Sequence, residues 1–207
     1  GSHNVLDESA ITGEGAMMKK IVILASGNGS LAQAIIDAVT SEALEAKIVG
    51  IITDQPHAFV IERARQAHLE SYIIPMHSDR DFWNSELEKL IAALNPDLVV
   101  SAGFMRILAP SITEKFRIIN SHPALLPAFP GAHAVRDALA AGVSETGTTI
   151  HWVDAGVDTG EVIAQEKVAV LPSDDEETLH ERIKIVERGL IVATIASLLP
   201  TLEPVRG

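Results

Sequence analysis

The sequence has 207 residues, of which 47% are hydrophobic and 21% charged, a balance that predicts a globular chain able to bury a sizeable core. Its formal net charge of −12 argues against attraction to phosphate backbones. No apolar run reaches the roughly 18 residues needed to span a membrane. From the charge we expect no nucleic-acid partner, and from the lack of such a run no membrane partner. Cysteine is absent, which excludes disulfides, cysteine nucleophiles and thiolate metal sites and fits a cytoplasmic protein.

Residues 1–16 are polar, contain glycines and lack the charged-then-apolar pattern of a signal peptide. We interpret them as a vector-derived leader, with Met17 or Met18 as the native first residue. Residues 17–207 have a length that suits one domain.

That domain begins with a strand, a glycine-rich loop and a helix. Residues 21–24 form an apolar, β-branched run typical of a strand buried in a parallel sheet. Ser-Gly-Asn-Gly-Ser follows at residues 26–30, and residues 31–36 fit a helix. This order places backbone N–H groups at a helix N-terminus, where they favour an anion. The alternative is a tight turn without a ligand, because the loop lacks the Lys-Ser/Thr of a P-loop and the third glycine of a dinucleotide fingerprint.

The next segments alternate between strands and helices. Apolar runs predict strands at residues 48–53, 72–75 and 98–100, and helical periodicity predicts helices at 58–68 and 79–95. The third of these strands leads into Ala-Gly-Phe-Met-Arg-Ile-Leu at residues 102–108. A loop at the carboxyl end of a strand can form the wall of a ligand pocket, although such a run is more often part of a core.

Residues 120–127, Asn-Ser-His-Pro-Ala-Leu-Leu-Pro, follow a short apolar run that predicts a buried strand. Prolines at 123, 127 and 130 exclude a helix and stiffen the loop. Asn120 and His122 are therefore expected two residues apart at the end of a strand, with their side chains on the same side. The alternative is that Asn120 caps a turn and His122 is an ordinary, partly buried histidine.

The C-terminal segments predict a helix over 132–141 that contains His133, then strands over 146–153 and 162–170. Since no helix separates these two strands, they indicate an antiparallel addition to the sheet. An amphipathic helix follows from residue 174. Together the segments predict a three-layer α/β fold with a mostly parallel sheet, an antiparallel C-terminal addition and a site at the carboxyl ends of the strands.

Four blocks of the sequence resemble the phosphoribosylglycinamide formyltransferase family of folate-dependent formyltransferases. Residues 120–127 match its N-x-H-P-x-L-L-P signature, and residues 26–30, 102–108 and 157–160 are similar to its other blocks, in the same order. The resemblance covers about residues 19–199. It implies a single formyltransferase domain, with a Rossmann-like, phosphate-binding half to about residue 118 and a catalytic and folate-binding half after it.

The resemblance implies transfer of a formyl group from 10-formyltetrahydrofolate to the amine of N1-(5-phospho-D-ribosyl)glycinamide, in purine biosynthesis and without a metal. It also implies site residues. The catalytic set is Asn120, His122 and Asp158. The phosphate and ribose set is Gly29, Ser30, Leu31 and Glu187, of which Glu187 is otherwise expected on the solvated face of its helix. The folate set is Arg80, Met105, Arg106, Ile107, Leu108, Asn120, Asp154, Ala155, Gly156, Val157 and Asp158. Leu31 stands where the family commonly has asparagine, so the phosphate would depend on backbone N–H groups.

Formyl transfer to an amine passes through a tetrahedral species whose oxygen becomes negative. In the implied roles, Asn120 donates an N–H to that oxygen, and protonated His122 does the same and passes a proton to the leaving nitrogen. Asp158 would keep the imidazole protonated, either directly or through a water. His133 and His151 are supporting groups of the site or structural histidines.

Three other functions fit parts of the pattern. Methionyl-tRNA formyltransferase shares the Asn-x-His element, but it has a further domain for tRNA and a need for positive charge that this sequence does not meet. Formyltetrahydrofolate hydrolase normally has an additional N-terminal regulatory domain. The third alternative is a sensor of folate or sugar phosphate without catalysis. The partners expected are small molecules, with a homodimer left open.

Overall fold

A computed structural model describes residues 18–205, so the leader inferred at residues 1–16 lies outside the described part of the chain. Seven strands form one sheet: β1 (Lys19–Leu24), β2 (Ala46–Thr53), β3 (Ser71–Ile73), β4 (Leu98–Ser101), β5 (Ile118–His122), β6 (Glu145–Trp152) and β7 (Val162–Ala169). The helices are α1 (Ser30–Thr40), α2 (Val60–Gln66), α3 (Arg80–Leu94), α4 (Pro110–Thr113), α5 (Ala134–Ala140) and α6 (Glu176–Leu198), and a 3₁₀ turn follows at Leu199–Thr201.

The strands lie in the order β3-β2-β1-β4-β5-β6-β7. The pairs among β1 to β5 are parallel, whereas β6 and β7 join in antiparallel pairs. This confirms the predicted mixed sheet of an α/β fold. The chain leaves β1 toward β2 on one side and returns to β4 on the other. A crevice therefore opens at the carboxyl ends of β1 and β4, the usual place for a ligand in an open α/β sheet.

The two faces of the sheet explain why β1 is apolar throughout. Ile21 and Ile23 pack in the layer that contains α1, α2 and α6, and Val22 and Leu24 pack in the layer that contains α3 and α4. All four side chains are fully buried. Each contributes about 1.5–3 kcal/mol of hydrophobic free energy.

Several boundaries differ from the sequence prediction. The helix expected over 132–141 begins at Ala134, and His133 is the exposed residue before it rather than a member of the helix. The strand at the Asn-Ser-His segment does end at His122 as expected, and Asn120 and His122 pair with His151 and Thr149 within the ladder. Proline at 123 ends the strand directly after them.

Side-chain caps fix the N-termini of the two longest helices, α3 and α6. The carboxylate of Asp79 accepts from the N–H groups of Asp81 at 3.0 Å and Phe82 at 3.2 Å, which starts α3. Asp175 and Thr178 form a capping box at the start of α6. Within residues 18–205, no helix is both long and apolar enough to cross a membrane.

Candidate active site

Three segments predicted as parts of the site meet at the carboxyl edge of the sheet. The Ala25 N–H donates to the Ile52 carbonyl at 3.0 Å, and the Ala102 N–H donates to the Leu24 carbonyl at 2.8 Å. Ser101, the last residue of β4, stands beside Asn120 in the parallel register with β5. The glycine loop after β1, the loop after β4 and the Asn-Ser-His segment of β5 therefore lie next to one another.

A cluster of four polar side chains, Asn120, His122, His151 and Asp158, occupies this edge. The Asp158 carboxylate lies 3.4 Å from His122 Nδ1 and 3.5 Å from His151 Nε2, and it accepts the Gly131 N–H at 2.8 Å. Asp158 holds a positive φ of 56° in the loop after β6. The structure thus brings Asn120, His122 and Asp158 together, as the resemblance implies, and adds His151.

His151 is the member of this cluster whose role sequence reasoning left undecided. It stands opposite Asn120 in the antiparallel ladder, with its Nε2 atom 3.2 Å from Asn120 Nδ2. The expected antiparallel pairing of this strand was the signal that could have placed it there. Its Nδ1 donates to the Trp152 carbonyl at 2.9 Å, so Nε2 accepts from Asn120 when the ring is neutral and donates to Asp158 when it is charged.

The electrostatics of the cluster favour a charged pair. Burial lowers the pKa of His151, but the hydrogen bond and charge of Asp158 and the Trp152 carbonyl outweigh it and raise the pKa above its ordinary value. Burial raises the pKa of Asp158, but the contact with His151, the Gly131 N–H and the nearby His122 outweigh it and hold the pKa below its ordinary value. Asp158 is therefore an anion beside a histidine that readily takes up a proton.

His122 is buried, and both of its ring nitrogens contact the protein. Nε2 donates to the Phe129 carbonyl at 2.8 Å, and Nδ1 faces Asp158. Phe129 belongs to the proline-bounded turn after the Asn-Ser-His segment and has a positive φ of 51°. A direct proton transfer from Nε2 to a substrate therefore requires the ring to exchange the Phe129 carbonyl for the substrate.

The glycine loop after β1 ends at the N-terminus of α1. Gly29 caps the helix with φ of +81°, and a Cβ atom there would lie 2.6 Å from Val60 Cγ2. The N–H groups of Ser30 and Leu31 belong to the first helical turn, where the backbone has no intrahelical acceptor. The Leu31 side chain is buried in the core, so only its backbone can contact a ligand at this loop.

Arg63 is a second feature of this loop, and sequence reasoning missed it. Its Nε donates to the Asn28 carbonyl at 2.7 Å, and one terminal nitrogen donates to Asn28 Oδ1 at 2.6 Å. A guanidinium therefore lies beside the N-terminus of α1 and adds positive charge to the predicted anion site. Nothing in the local sequence of α2 distinguishes Arg63 from an ordinary solvated arginine.

Glu187 faces the sheet from α6 and is not a solvated residue. Its carboxylate accepts from Ser121 Oγ at 2.5 Å, directly behind Asn120 and His122. Burial raises the pKa of Glu187, and the Ser121 hydroxyl and the charges of Lys184 and Arg188 offset only part of that rise. The carboxyl group therefore contacts the strand that carries Asn120 and His122 and feels the positive charges of Lys184 and Arg188.

The loop at 102–108 presents some of its predicted folate residues to solvent and buries others. Met105 and Ile107 are 72% and 65% exposed, whereas Leu108 is buried in the core. The Arg106 guanidinium forms an ion pair with Asp54, with 2.6 Å between Nε and Oδ2. Sequence reasoning missed Asp54 because its partners lie far from it along the chain.

Arg80 borders the same loop at the start of α3. Its guanidinium carbon lies 5.9 Å from the centre of the Trp83 ring, and that ring stacks on Phe104 with centroids 6.1 Å apart. The Asn84 side chain also accepts from the Ala109 N–H at 3.0 Å. The start of α3 and the loop after β4 are therefore packed together.

The remaining predicted folate residues lie in the turn before Asp158. The Asp154 carboxylate accepts from the Gly156 N–H at 2.9 Å and from Thr159 Oγ1 at 2.7 Å. These hydrogen bonds lower the pKa of Asp154. Ala155 is exposed and Val157 is 51% exposed, so this turn presents its surface to solvent next to the cluster. Across residues 18–205, no group of three or more His, Asp or Glu side chains is placed to hold a metal ion.

The fold and this site agree with a known family. The family model described as formyl transferase matches residues 19–195, which is most of the chain. The chain belongs to the formyl transferase family.

Individual relatives narrow the assignment. Phosphoribosylglycinamide formyltransferase from Mycobacterium tuberculosis H37Rv is 50% identical over 183 residues, covering 86% of this chain and 84% of that protein. The enzyme of the same name from Escherichia coli K12 is 39% identical over 180 residues, covering 85% of each. The crystal structure of glycinamide ribonucleotide transformylase 1 from Geobacillus kaustophilus has a TM-score of 0.83 and 40% identity, covering 88% of this chain and 99% of that one. Within its family, the chain belongs to the phosphoribosylglycinamide formyltransferases, which are enzymes.

Proposed function

We propose that this enzyme transfers the formyl group of 10-formyltetrahydrofolate to the amine of N1-(5-phospho-D-ribosyl)glycinamide, a step of purine biosynthesis. The observation that carries the proposal is the largely buried cluster of Asn120, His122, His151 and Asp158, at the edge of the sheet where the glycine loop also ends. One end of this crevice suits a phosphate and the other suits an acyl transfer.

The phosphate of the glycinamide substrate binds at the N-terminus of α1. The N–H groups of Gly29, Ser30 and Leu31 and the helix dipole attract it, and Arg63 adds a positive charge beside the loop. Glu187 accepts hydrogen bonds from the ribose hydroxyls. Its fixed position against Ser121 places that acceptor next to the cluster.

The folate lies against the loop at 102–108 and the turn at 154–158. Met105 and Ile107 offer exposed apolar surface to the flat ring, and backbone groups of Arg106 and Leu108 meet its polar edge. Arg80 contributes a cation at the outer end of this wall. In this proposal the segment up to about residue 118 holds the phosphate, and the segment after it provides the catalytic and most of the remaining folate contacts.

In the reaction, the substrate amine attacks the formyl carbon, a C–N bond forms, and the carbonyl oxygen becomes an oxyanion. The Asn120 amide donates an N–H to that oxygen. When His151 is protonated it donates to Asp158 instead of accepting from Asn120, which leaves the Asn120 N–H available for the oxyanion. Collapse of the tetrahedral species breaks the bond to the folate nitrogen.

One proton must leave the attacking amine and one must reach the departing nitrogen. Protonated His122 gives its Nε2 proton to the departing nitrogen, after the ring exchanges the Phe129 carbonyl for the substrate, while Asp158 balances the positive charge of the ring. The neutral ring then takes up the proton that the attacking nitrogen loses, which restores its charge. These steps use neither a nucleophilic residue nor a metal. The products are the N-formyl compound and tetrahydrofolate, so atoms and charge balance.

The net charge of −12 and the lack of cysteine support action in the cytoplasm on small molecules alone, without nucleic acid or membrane. Sedimentation velocity at micromolar concentrations measures whether the chain forms a homodimer.

The experiment that tests the function supplies 10-formyltetrahydrofolate together with the glycinamide ribotide, methionyl-tRNA or no acceptor. We expect one formylated ribotide for each tetrahydrofolate released. Release of formate without an acceptor would identify a hydrolase, formylation of methionyl-tRNA would identify the tRNA enzyme, and binding without turnover would identify a sensor. Each of these three outcomes contradicts the proposal.

A further inference from the structure

Asp54 is a buried acid that none of the steps above uses. It follows the last residue of β2 and is 2% exposed. Its carboxylate accepts from Ser26 Oγ at 2.6 Å, from Arg106 Nε at 2.6 Å and from Gln55 Nε2 at 3.1 Å. Burial raises the pKa of Asp54, but the hydrogen bonds from Ser26 and Arg106 outweigh it and lower the pKa below its ordinary value. Asp54 is therefore an anion.

The partners of Asp54 belong to two different loops of the site. Ser26 begins the glycine loop, and its hydroxyl, while donating to Asp54, also accepts the Met105 N–H at 2.8 Å. The Ser26 N–H donates to the Gly103 carbonyl at 3.1 Å. The glycine loop and the loop at 102–108 are thus joined through Ser26, Asp54 and Arg106. A cavity of about 470 Å³ opens between them, with Ser26 and Gly27 on one side and Gly103 and Met105 on the other.

We propose that Asp54 is a positioning residue that fixes the distance between the phosphate-binding loop and the folate-binding loop, and so the distance between the amine and the formyl carbon. The inference rests on the proposed function. Each substrate is anchored mainly on one loop, and the reaction requires the reacting atoms to lie about 3–3.5 Å apart. A misplacement of about 1 Å costs on the order of 10²-fold in rate. If the link is loosened, each loop keeps its own ligand contacts, but the two ligands lose their alignment.

The Asp54→Asn variant tests this prediction, because it keeps the shape of the side chain and removes the charge that holds Arg106. We expect kcat to fall by about 10- to 100-fold. The dissociation constants of the ribotide and of a non-reactive folate, each measured alone by calorimetry, should stay within about threefold of the wild-type values. The stoichiometry of the same titrations gives the folded fraction, so a fall in kcat per binding site would not follow from a general loss of folded protein.

Asp97→Asn is the matched control. Asp97 is also a buried acid, 3% exposed, and it accepts from the N–H groups of Lys20 at 2.7 Å and Val205 at 2.8 Å. It precedes β4 and contacts the start of β1, at the end of these strands opposite to the site. Its replacement should lower the melting temperature and leave the kcat of the folded enzyme unchanged.

Ser26→Ala is the second variant, since it cuts the same link while Asp54 and Arg106 keep their ion pair. It should lower kcat by up to about tenfold with the same small effect on binding. A kcat close to wild type in both variants, or an equal loss in Asp97→Asn, would overturn the inference. The kcat ratios are measured with whichever acceptor the wild type formylates. A failure of the ribotide as acceptor therefore counts against the proposed function alone.

Discussion

Replacing Asp158 with asparagine removes one negative charge from the cluster while preserving the size of the side chain. The side chains of His122, His151 and Asp158 are only 5%, 3% and 12% exposed, so solvent screens their contacts weakly. Asparagine can still accept the Gly131 N–H, but it loses the charge that favours a proton on the His151 ring. A hydrogen bond to a charged group contributes about 1.5–3 kcal/mol, so we expect the free energy of unfolding to fall by about that amount near pH 6.

The effect of this substitution has a definite dependence on pH. The pKa of His151 is raised above 6.5, so its stabilising contribution is complete below that value and is lost as the pH rises through the folded-state pKa. The pKa of Asp158 is lowered below 3.8, so its contribution is present above 3.8 and is lost as the pH falls through the folded-state pKa. The stability difference between wild type and Asp158→Asn should be greatest between these two ordinary values and should narrow at alkaline pH.

Urea unfolding at several pH values measures the stability difference, and kcat at saturating substrates measures the effect on the reaction. The Asp158→Asn variant should lower kcat with KM nearly unchanged, and its activity should decline at a lower pH than that of wild type as the pH rises. Combining it with His122→Ala should be little worse than His122→Ala alone, because the two residues act as a unit in the proposed mechanism.

Glu114→Gln is the control, since it removes one unit of charge at an exposed position and should change stability by less than about 0.5 kcal/mol. A stability difference between wild type and Asp158→Asn that is independent of pH, or additive losses of kcat in the double variant, would contradict the role proposed for Asp158.

Three further predictions concern the phosphate and ribose contacts. A Cβ atom at Gly29 would meet Val60, whereas one at Gly27 would meet open space. Gly29→Ala should therefore raise the ribotide KM far more than Gly27→Ala. As the check, the two variants should have equal kcat/KM on an acceptor that lacks the phosphate. Glu187→Gln should also raise the ribotide KM. Because burial raises the pKa of Glu187, ionisation of its carboxyl group costs stability as the pH rises above 4.5. At pH 8 the variant should therefore unfold at a higher urea concentration than wild type, and a lower midpoint would contradict this. Leu31→Asn should lower the free energy of unfolding by about 2–5 kcal/mol instead of tightening phosphate binding, since the side chain is in the core; a stable variant with higher phosphate affinity would contradict that placement.

Patterns that are local in the sequence predicted the fold well. The apolar run of β1 reports burial on both faces, and the lack of a helix between β6 and β7 reports their antiparallel pairing. The position of Asn120 and His122 follows from a strand that proline at 123 ends.

The parts of the site that depend on contacts between distant segments could not be read from spacing. Asp158 entered the cluster only through resemblance. His151 joins it through the register of β6 against β5. Asp54 and Arg63 look like ordinary charged residues until the fold places them against Ser26 and Asn28. Glu187 appeared to lie on a polar helix face, but α6 turns that residue toward Ser121.

The most direct test of the account is the kcat of Asn120→Ala for formylation of the glycinamide ribotide, at saturating concentrations of both substrates. In the proposed mechanism Asn120 donates to a charge present only in the transition state, and loss of one such donor typically costs about 10²–10³ in kcat. We expect a decrease in that range with the dissociation constants of both substrates nearly unchanged. A kcat close to that of wild type, or a decrease explained by weaker binding of either substrate, would contradict it.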